Sequence, residues 1–172
     1  MKRVNYEFKA RMKDESLIRA VLRKLRARFI GTDHQVDTYF RVASGRLKVR
    51  AGRIENALIF YERSNARRAR RARIEMMLLP RRNSLAAILS RVLGVHVVVE
   101  KRREIYFVGR VKIHLDRLRG LGRFVEVEAI SPSGNLRTIR KQARRFQKLF
   151  GIRDSDIVPQ SYSDLVPKKP RH

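Results

Sequence analysis

The chain has 172 residues, 43% of them hydrophobic, which suits one domain with a sizeable core and excludes a disordered chain. Cysteine is absent, which excludes disulfides and thiolate metal centres, and no apolar run approaches the ~20 residues of a membrane-spanning helix. Lysine and arginine number 42 against 16 aspartate and glutamate, a formal charge of +26, and an excess of that size implies a polyanionic partner beyond any small phosphate ester.

Residues 3–13 alternate, with Val4, Tyr6, Phe8 and Ala10 on one side and Asn5, Glu7, Lys9 and Arg11 on the other, so a strand with one apolar face is predicted. Asp14 can cap a helix carrying Leu17, Ile18, Val21, Leu22 and Leu25 at helical spacing. Strands are predicted at about 34–43, 46–51, 56–63 and 70–79, the last stopped by Pro80. Asn83 and Ser84 can cap a helix through Leu85, Ile88, Leu89 and Val92 that ends at Gly94. Three further strands are predicted at about 95–108, 110–117 and 122–130. After the turn cluster Ser131-Pro132-Ser133-Gly134 comes a helix from about 135 to 150, ending before Gly151. Pro159 and Pro167 bracket a short last segment.

The count is about eight strands and three helices. Several strands place charge on one face: Glu7 with Lys9, Lys48 with Arg50, Lys101 with Arg103, Glu126 with Glu128. Such a sheet either turns that face to water or closes into a barrel and lines a lumen with it, and periodicity does not choose between the two. His34, His96, His114 and His172 show no ligand spacing, so no structural zinc site is predicted. The start, from Met1 to Glu7, has no apolar signal core, so a cytoplasmic protein is expected.

The basic residues cluster. Arg67, Arg68, Arg70, Arg71 and Arg73 crowd one loop and strand start, and Arg117, Arg119 and Arg123 surround Gly120-Leu121-Gly122. The helix at 135–150 carries Arg137, Arg140, Lys141, Arg144, Arg145 and Lys148 without one acid for i,i+4 pairing. Lys168, Lys169 and Arg171 form a basic tail over residues 167–172, beyond a single domain at 1–166. Arginine dominates these clusters, and its planar fork suits phosphate. Charge on several elements fits a protein embedded among RNA segments, so an RNA-binding structural role is expected, ribosomal or ribosome-associated, on rRNA backbone, with no cofactor required and no membrane.

Several segments, in order, resemble the CYTH family, and its class IV adenylyl cyclase branch most closely. Asn5-Tyr6-Glu7-Phe8-Lys9 stands where the family's ExExK opens the domain. His34-Gln35-Val36-Asp37-Thr38-Tyr39-Phe40 is similar to its second-strand motif, followed by Gly45-Arg46-Leu47-Lys48-Val49-Arg50, and Ala57 to Arg63 resembles its fourth strand. Glu100-Lys101-Arg102-Arg103, His114-Leu115-Asp116 with Gly120-Leu121-Gly122, Glu126-Val127-Glu128 and the closing Ser161-Tyr162-Ser163-Asp164-Leu165 complete the resemblance.

The resemblance implies an α+β fold, a closed antiparallel eight-stranded β-barrel with flanking helices, whose tunnel holds a triphosphate or nucleotide with Mg²⁺ or Mn²⁺. By position, Glu7, Glu126 and Glu128 would hold the metal, and Lys9, Lys48, Arg50, Lys101 and Arg103 the phosphates. Asp116, Lys101 and Arg103 would stand at the reacting group, with Asp37 a further candidate. The implied activity, alternative to the RNA role, is that of a divalent-metal-dependent triphosphatase or a class IV adenylyl cyclase. Two departures weigh against catalysis: Asn5 replaces the first acid of ExExK, and Glu62 is read as standing where many members place a phosphate-binding lysine.

Overall fold

The computed structural model describes residues 2–63, 68–131 and 135–167. Eight strands are β1 (Lys2–Arg11), β2 (Arg28–Phe40), β3 (Arg46–Ala51), β4 (Ala57–Arg63), β5 (Arg70–Leu78), β6 (Val95–Val108), β7 (Val111–Leu118) and β8 (Gly122–Ser131). The helices are α1 (Glu15–Lys24), α2 (Leu85–Leu93), α3 (Leu136–Leu149) and the short α4 (Tyr162–Leu165), with a 3₁₀ turn at Asp154–Asp156. The strands close into an antiparallel barrel in the order β1-β5-β4-β3-β2-β6-β7-β8. Closure comes from β1, which pairs with β5 on one edge and β8 on the other.

The two-residue period decides what lies inside. Phe8 and Ala10 of β1 face outward with Val125, Val127 and Ala129 of β8, and α1 (Ile18, Leu22) and α3 (Ile139, Ala143, Phe146) cover them. Asn5, Glu7 and Lys9 face the lumen opposite Glu126 and Glu128. Asp14 caps α1, accepting from the Leu17 amide at 2.8 Å, and Asn135 caps α3 through the Thr138 amide at 3.2 Å. α2 ends at Gly94, whose φ of +72° favours glycine. Among the described residues no helix is long and apolar enough to cross a membrane.

Three differences from the sequence reading have physical causes. β2 begins at Arg28, six residues before the predicted start, because the 14-residue β6 supplies a partner back to Phe107. Its first half lacks apolar alternation since Asp33 and Gln35 are the inward residues, and both are fully buried. The closing segment forms a fourth helix, capped by a reciprocal pair between Ser161 and Asp164. Along β5 the inward residues are Arg70, Ala72 and Ile74, so Arg70, expected among the outer RNA-binding arginines, is buried and shares a register position with Glu7.

Asp33 organises the mouth of the barrel. Its carboxylate accepts from the backbone amides of Arg53, Ile54 and Glu55 at 2.7, 3.2 and 3.1 Å, and from Gln35 at 3.0 Å. Gly52 is required beside it, because a Cβ there would stand 2.5 Å from Asp33 Oδ2. Replacing Asp33 with alanine removes the acceptor of three part-buried amides and should cost about 2 kcal/mol. Hydrogen exchange at residues 53–55 should accelerate and the melting temperature fall; an unchanged Tm would contradict this role.

Candidate active site in the barrel lumen

The lumen is a cavity of about 520 Å³. Ser161 and Tyr162 line its closed end and Arg53, Leu78, Pro80 and Arg81 its mouth. The closing segment is tied in from several sides. Tyr162 donates to Asp116 Oδ2 at 2.8 Å, the Tyr61 and Ser161 hydroxyls lie 2.9 Å apart, and Lys9 Nζ donates to the Gln160 carbonyl at 2.5 Å. Lys9 also sits 4.0 Å from the Tyr162 ring centroid.

Two charge centres structure the interior. Asp37 accepts from Lys48 at 2.8 Å, Lys101 at 2.6 Å and Arg50 Nε at 2.8 Å. Burial works to raise its pKa, but Arg50, Lys101 and Lys48 outweigh it and hold the carboxyl well below its ordinary range. Three cations on one carboxylate leave an excess of charge. Lys101, fully buried, is pushed down to about 7 by desolvation, which Arg50 and Arg103 reinforce and Asp37 only partly offsets.

The second centre is Arg103, whose guanidinium grips Asp116 in a fork (Nε to Oδ1 2.7 Å, Nη2 to Oδ2 2.5 Å) and reaches Glu126 at 2.6 Å. Glu55 joins the two walls by accepting from Arg50 and Gln35 at 2.9 Å and from Lys112.

Beside Arg103, ligand atoms of His114, Glu126 and Glu128 lie within 4.8 Å of one another. The His114 ring is 1% exposed, and neither nitrogen has a hydrogen-bond partner; Nδ1 stands 3.6 Å from Glu126 and 3.7 Å from Glu128, too far for a bond. Burial first, then the charge of Arg103, lowers the His114 pKa, which favours the neutral imidazole with its lone pair available. Burial would raise Glu126, but the charge of Arg103 above all outweighs it and keeps it ionised. A buried imidazole left unsatisfied beside two carboxylates fits a divalent cation, and the mixed nitrogen and oxygen donors suit Mn²⁺ better than Mg²⁺. Asn5, fully buried, donates to Glu128 at 3.4 Å from the side away from His114's strand.

Of the residues named from sequence, Glu7, Lys9, Lys48, Arg50, Arg103, Glu126 and Glu128 line the lumen. Lys101, Asp116 and Asp37 are buried and do not border the cavity; Asp116 is bonded to Arg103, which does, and Lys101 to Asp37, which also holds the lumen residues Lys48 and Arg50. Glu62 is corrected: it is exposed on the outer face opposite Arg73, and the inward residue there is Tyr61. Arg68, Arg71, Arg73, Arg117, Arg119, Arg123, Arg137, Arg140, Lys141, Arg144, Arg145 and Lys148 are exposed; Arg67, Lys168, Lys169 and Arg171 lie outside the described residues. His114, Glu55 and Lys112 were missed. His114 and Lys112 carried one signal, the inward phase of β7 shared with Asp116; Glu55, on a loop, carried none.

A family model described as the CYTH domain matches residues 3–162. The chain belongs to the CYTH domain family. Solved structures agree in fold. A protein of Pyrococcus horikoshii OT3 superposes with a TM-score of 0.81 at 24% identity, covering 95% of this chain and 99% of that one. A candidate adenylate cyclase of Vibrio parahaemolyticus gives 0.74 at 18% identity, covering 95% and 97%. A Hippeastrum protein described as having a dominant triphosphatase activity gives 0.56 at 14% identity, covering 87% and 88%. No curated protein matches the chain in sequence strongly enough to count as a relative.

Two outcomes follow for this CYTH lumen. Asn5→Asp adds a carboxylate against Glu128, so the metal-free protein should melt lower while Mn²⁺ binds about tenfold tighter by calorimetry; unchanged Mn²⁺ affinity would count against the three-residue site. For Lys101, the proton is bound in both states below pH 7, and between 7 and the ordinary lysine value only the unfolded chain holds it. Stability should therefore rise from pH 7 to 9 relative to Lys101→Met, and parallel Tm profiles for the two would refute the shift.

Proposed function

We propose that the lumen hydrolyses a phosphoanhydride bond of a di- or triphosphate with a divalent cation held at His114, Glu126 and Glu128. The observation that carries this is that metal-fitting cluster beside Arg103, whose Glu126 and Glu128 border a cavity also lined by Lys9, Lys48 and Arg50 while His114 is buried behind them. Phosphoryl transfer demands little covalent chemistry of a protein; positioned cations that neutralise charge on the transferring group do most of the work. A bound cation would supply Lewis-acid polarisation of a phosphoryl oxygen. Arg103, fixed by Asp116, presents a charge that does not need to reorganise, and Arg50, fixed by Asp37 and Glu55, does the same from the facing side. Cyclisation of a nucleotide is the reading the lumen supports less, since the inward side chains of β4 and β5 are aliphatic except Tyr61 and Arg70 among the described residues and offer little to orient a ribose.

Phosphate release from inorganic and organic di- and triphosphates, with Mn²⁺ and with Mg²⁺, tests this. Turnover should be faster with Mn²⁺, and Glu126→Gln should lower kcat about 100-fold or more. No release from any member of the panel would sink the proposal.

A second reading, RNA binding by the outer surface, has its own observation. The solvent side of α3 carries Arg137, Arg140, Lys141, Arg144, Arg145 and Lys148 with no acid along the helix. Exposed Arg68, Arg71 and Arg73 lie just before and on β5, which pairs with β1, one of the two strands that α3 packs on. This band supports backbone recognition of structured RNA such as rRNA, within or on a ribosomal subunit. Affinity should fall about 10³-fold between ~50 and ~200 mM salt if about six phosphates are neutralised. Neutralising Arg71, Arg140 and Arg144 should weaken binding without lowering Tm, and a flat salt response in filter binding would exclude this reading.

A further inference from the structure

The inside of the barrel has two unlike halves. Opposite β4 and β5 in the ring lie β6 and β7, which bring Lys101, Arg103, Lys112, His114 and Asp116 inward. On β4 and β5 themselves the inward residues include Ala57, Ile59, Ala72, Ile74, Met76 and Leu78, each bordering the cavity. The alternation is strict: Ile74 and Ala72 face in while Arg71, Arg73 and Glu75 face out, so a strand rich in arginine presents aliphatic groups to the lumen over most of its length. The apolar strip runs from the Ile74 level to the mouth. There Leu78 is 74% and Ile54 41% exposed. From Ile74 to Leu78 it spans about 13 Å, four residues of extended chain.

This wall is unsuited to a compact polyanion. A bare triphosphate wants cations or hydrogen-bond donors on every side, and aliphatic groups facing it strip its hydration without replacement. Nor does the wall read a nucleobase, whose edge needs placed donors and acceptors; among the described residues its polar exceptions are Tyr61, whose hydroxyl is engaged with Ser161, and Arg70 at the far end, which does not border the cavity. An aliphatic chain, by contrast, removes both its own surface and that of the wall from water.

We propose that the substrate is an amphiphilic organic diphosphate or triphosphate whose body is an aliphatic chain. Its phosphates lie against Arg50, Arg103 and the His114–Glu126–Glu128 cluster, and its chain lies along the β4–β5 wall toward Leu78. The inference rests on the phosphoanhydride reading above and adds the chemical class of the organic group. The site thereby selects against inorganic phosphates and nucleotides by what the wall lacks, and chains longer than the wall emerge at the mouth past Ile54 and Leu78, where Arg53 and Arg81 also stand.

Calorimetric titration of the full chain with Mn²⁺ tests this with four probes: inorganic diphosphate, ATP, geranyl diphosphate and geraniol. Each methylene laid on the wall should gain about fourfold in affinity, so geranyl diphosphate should bind about 100-fold or more tighter than inorganic diphosphate. It should also bind tighter than ATP, with geraniol much weaker for lack of the head group. Met76→Gln, conservative in size, and Ile59→Thr, one methyl shorter, should each reduce the geranyl advantage about tenfold while leaving inorganic diphosphate unchanged, and either variant suffices if the other fails to fold. If inorganic diphosphate binds and the chain adds nothing, or ATP binds tightest, the aliphatic assignment is wrong while the phosphoanhydride reading survives. If no phosphate probe binds, both are overturned.

Discussion

Burying Arg103 next to Asp116 and Glu126 is the arrangement on which the lumen depends. An arginine 2% exposed at the centre of a barrel is tolerable only when fully paired, and here one guanidinium satisfies two carboxylates from β7 and β8. The fork fixes Asp116, which then receives the Tyr162 hydroxyl and so anchors the closing segment. It also fixes Glu126, which would otherwise be driven toward its protonated form by burial. Asp37 plays the mirror role on β2, collecting Lys48, Arg50 and Lys101. The result is a set of paired, rigid charges with a cationic excess around Asp37, which fits the preorganised catalysis proposed for a phosphoryl group. Removing one member strands the others, so such lattices resist piecemeal change.

Much of the barrel could be read in the sequence because the chain obeys simple periods. β1 and β3 alternate cleanly, Asp14 announces its helix, and the charged phase of β1, β3 and β8 is the lumen phase. The CYTH motifs pointed to Glu7, Lys9, Arg50, Arg103, Glu126 and Glu128 as lumen residues, and that is where they stand.

What stayed hidden depends on contacts between distant segments. Glu55 reaches the lumen only because Asp33 folds the β3–β4 loop inward from twenty residues away. His114 has no ligand spacing along the chain; its ligand-like neighbours come from β8, across a strand pair. Glu62 and Arg70 were misplaced for one reason: in runs such as Tyr61-Glu62-Arg63 and Arg70-Arg71-Ala72, charge does not reveal which phase is inward, and one residue of phase exchanges the two faces.

The two charge systems of this molecule are built differently. Inside, acids and bases are paired and buried; outside, the exposed arginines and lysines of α3 have no acid along the helix. The measurement that separates them most directly is ³¹P relaxation of a bound phosphate in the presence of Mn²⁺. If phosphate and metal meet in the lumen, the bound resonances broaden strongly, and Glu126→Gln abolishes the broadening while neutralising Arg140 and Arg144 leaves it intact. Broadening that survives Glu126→Gln and disappears with the α3 variant would place the phosphate on the outer surface and contradict a catalytic lumen.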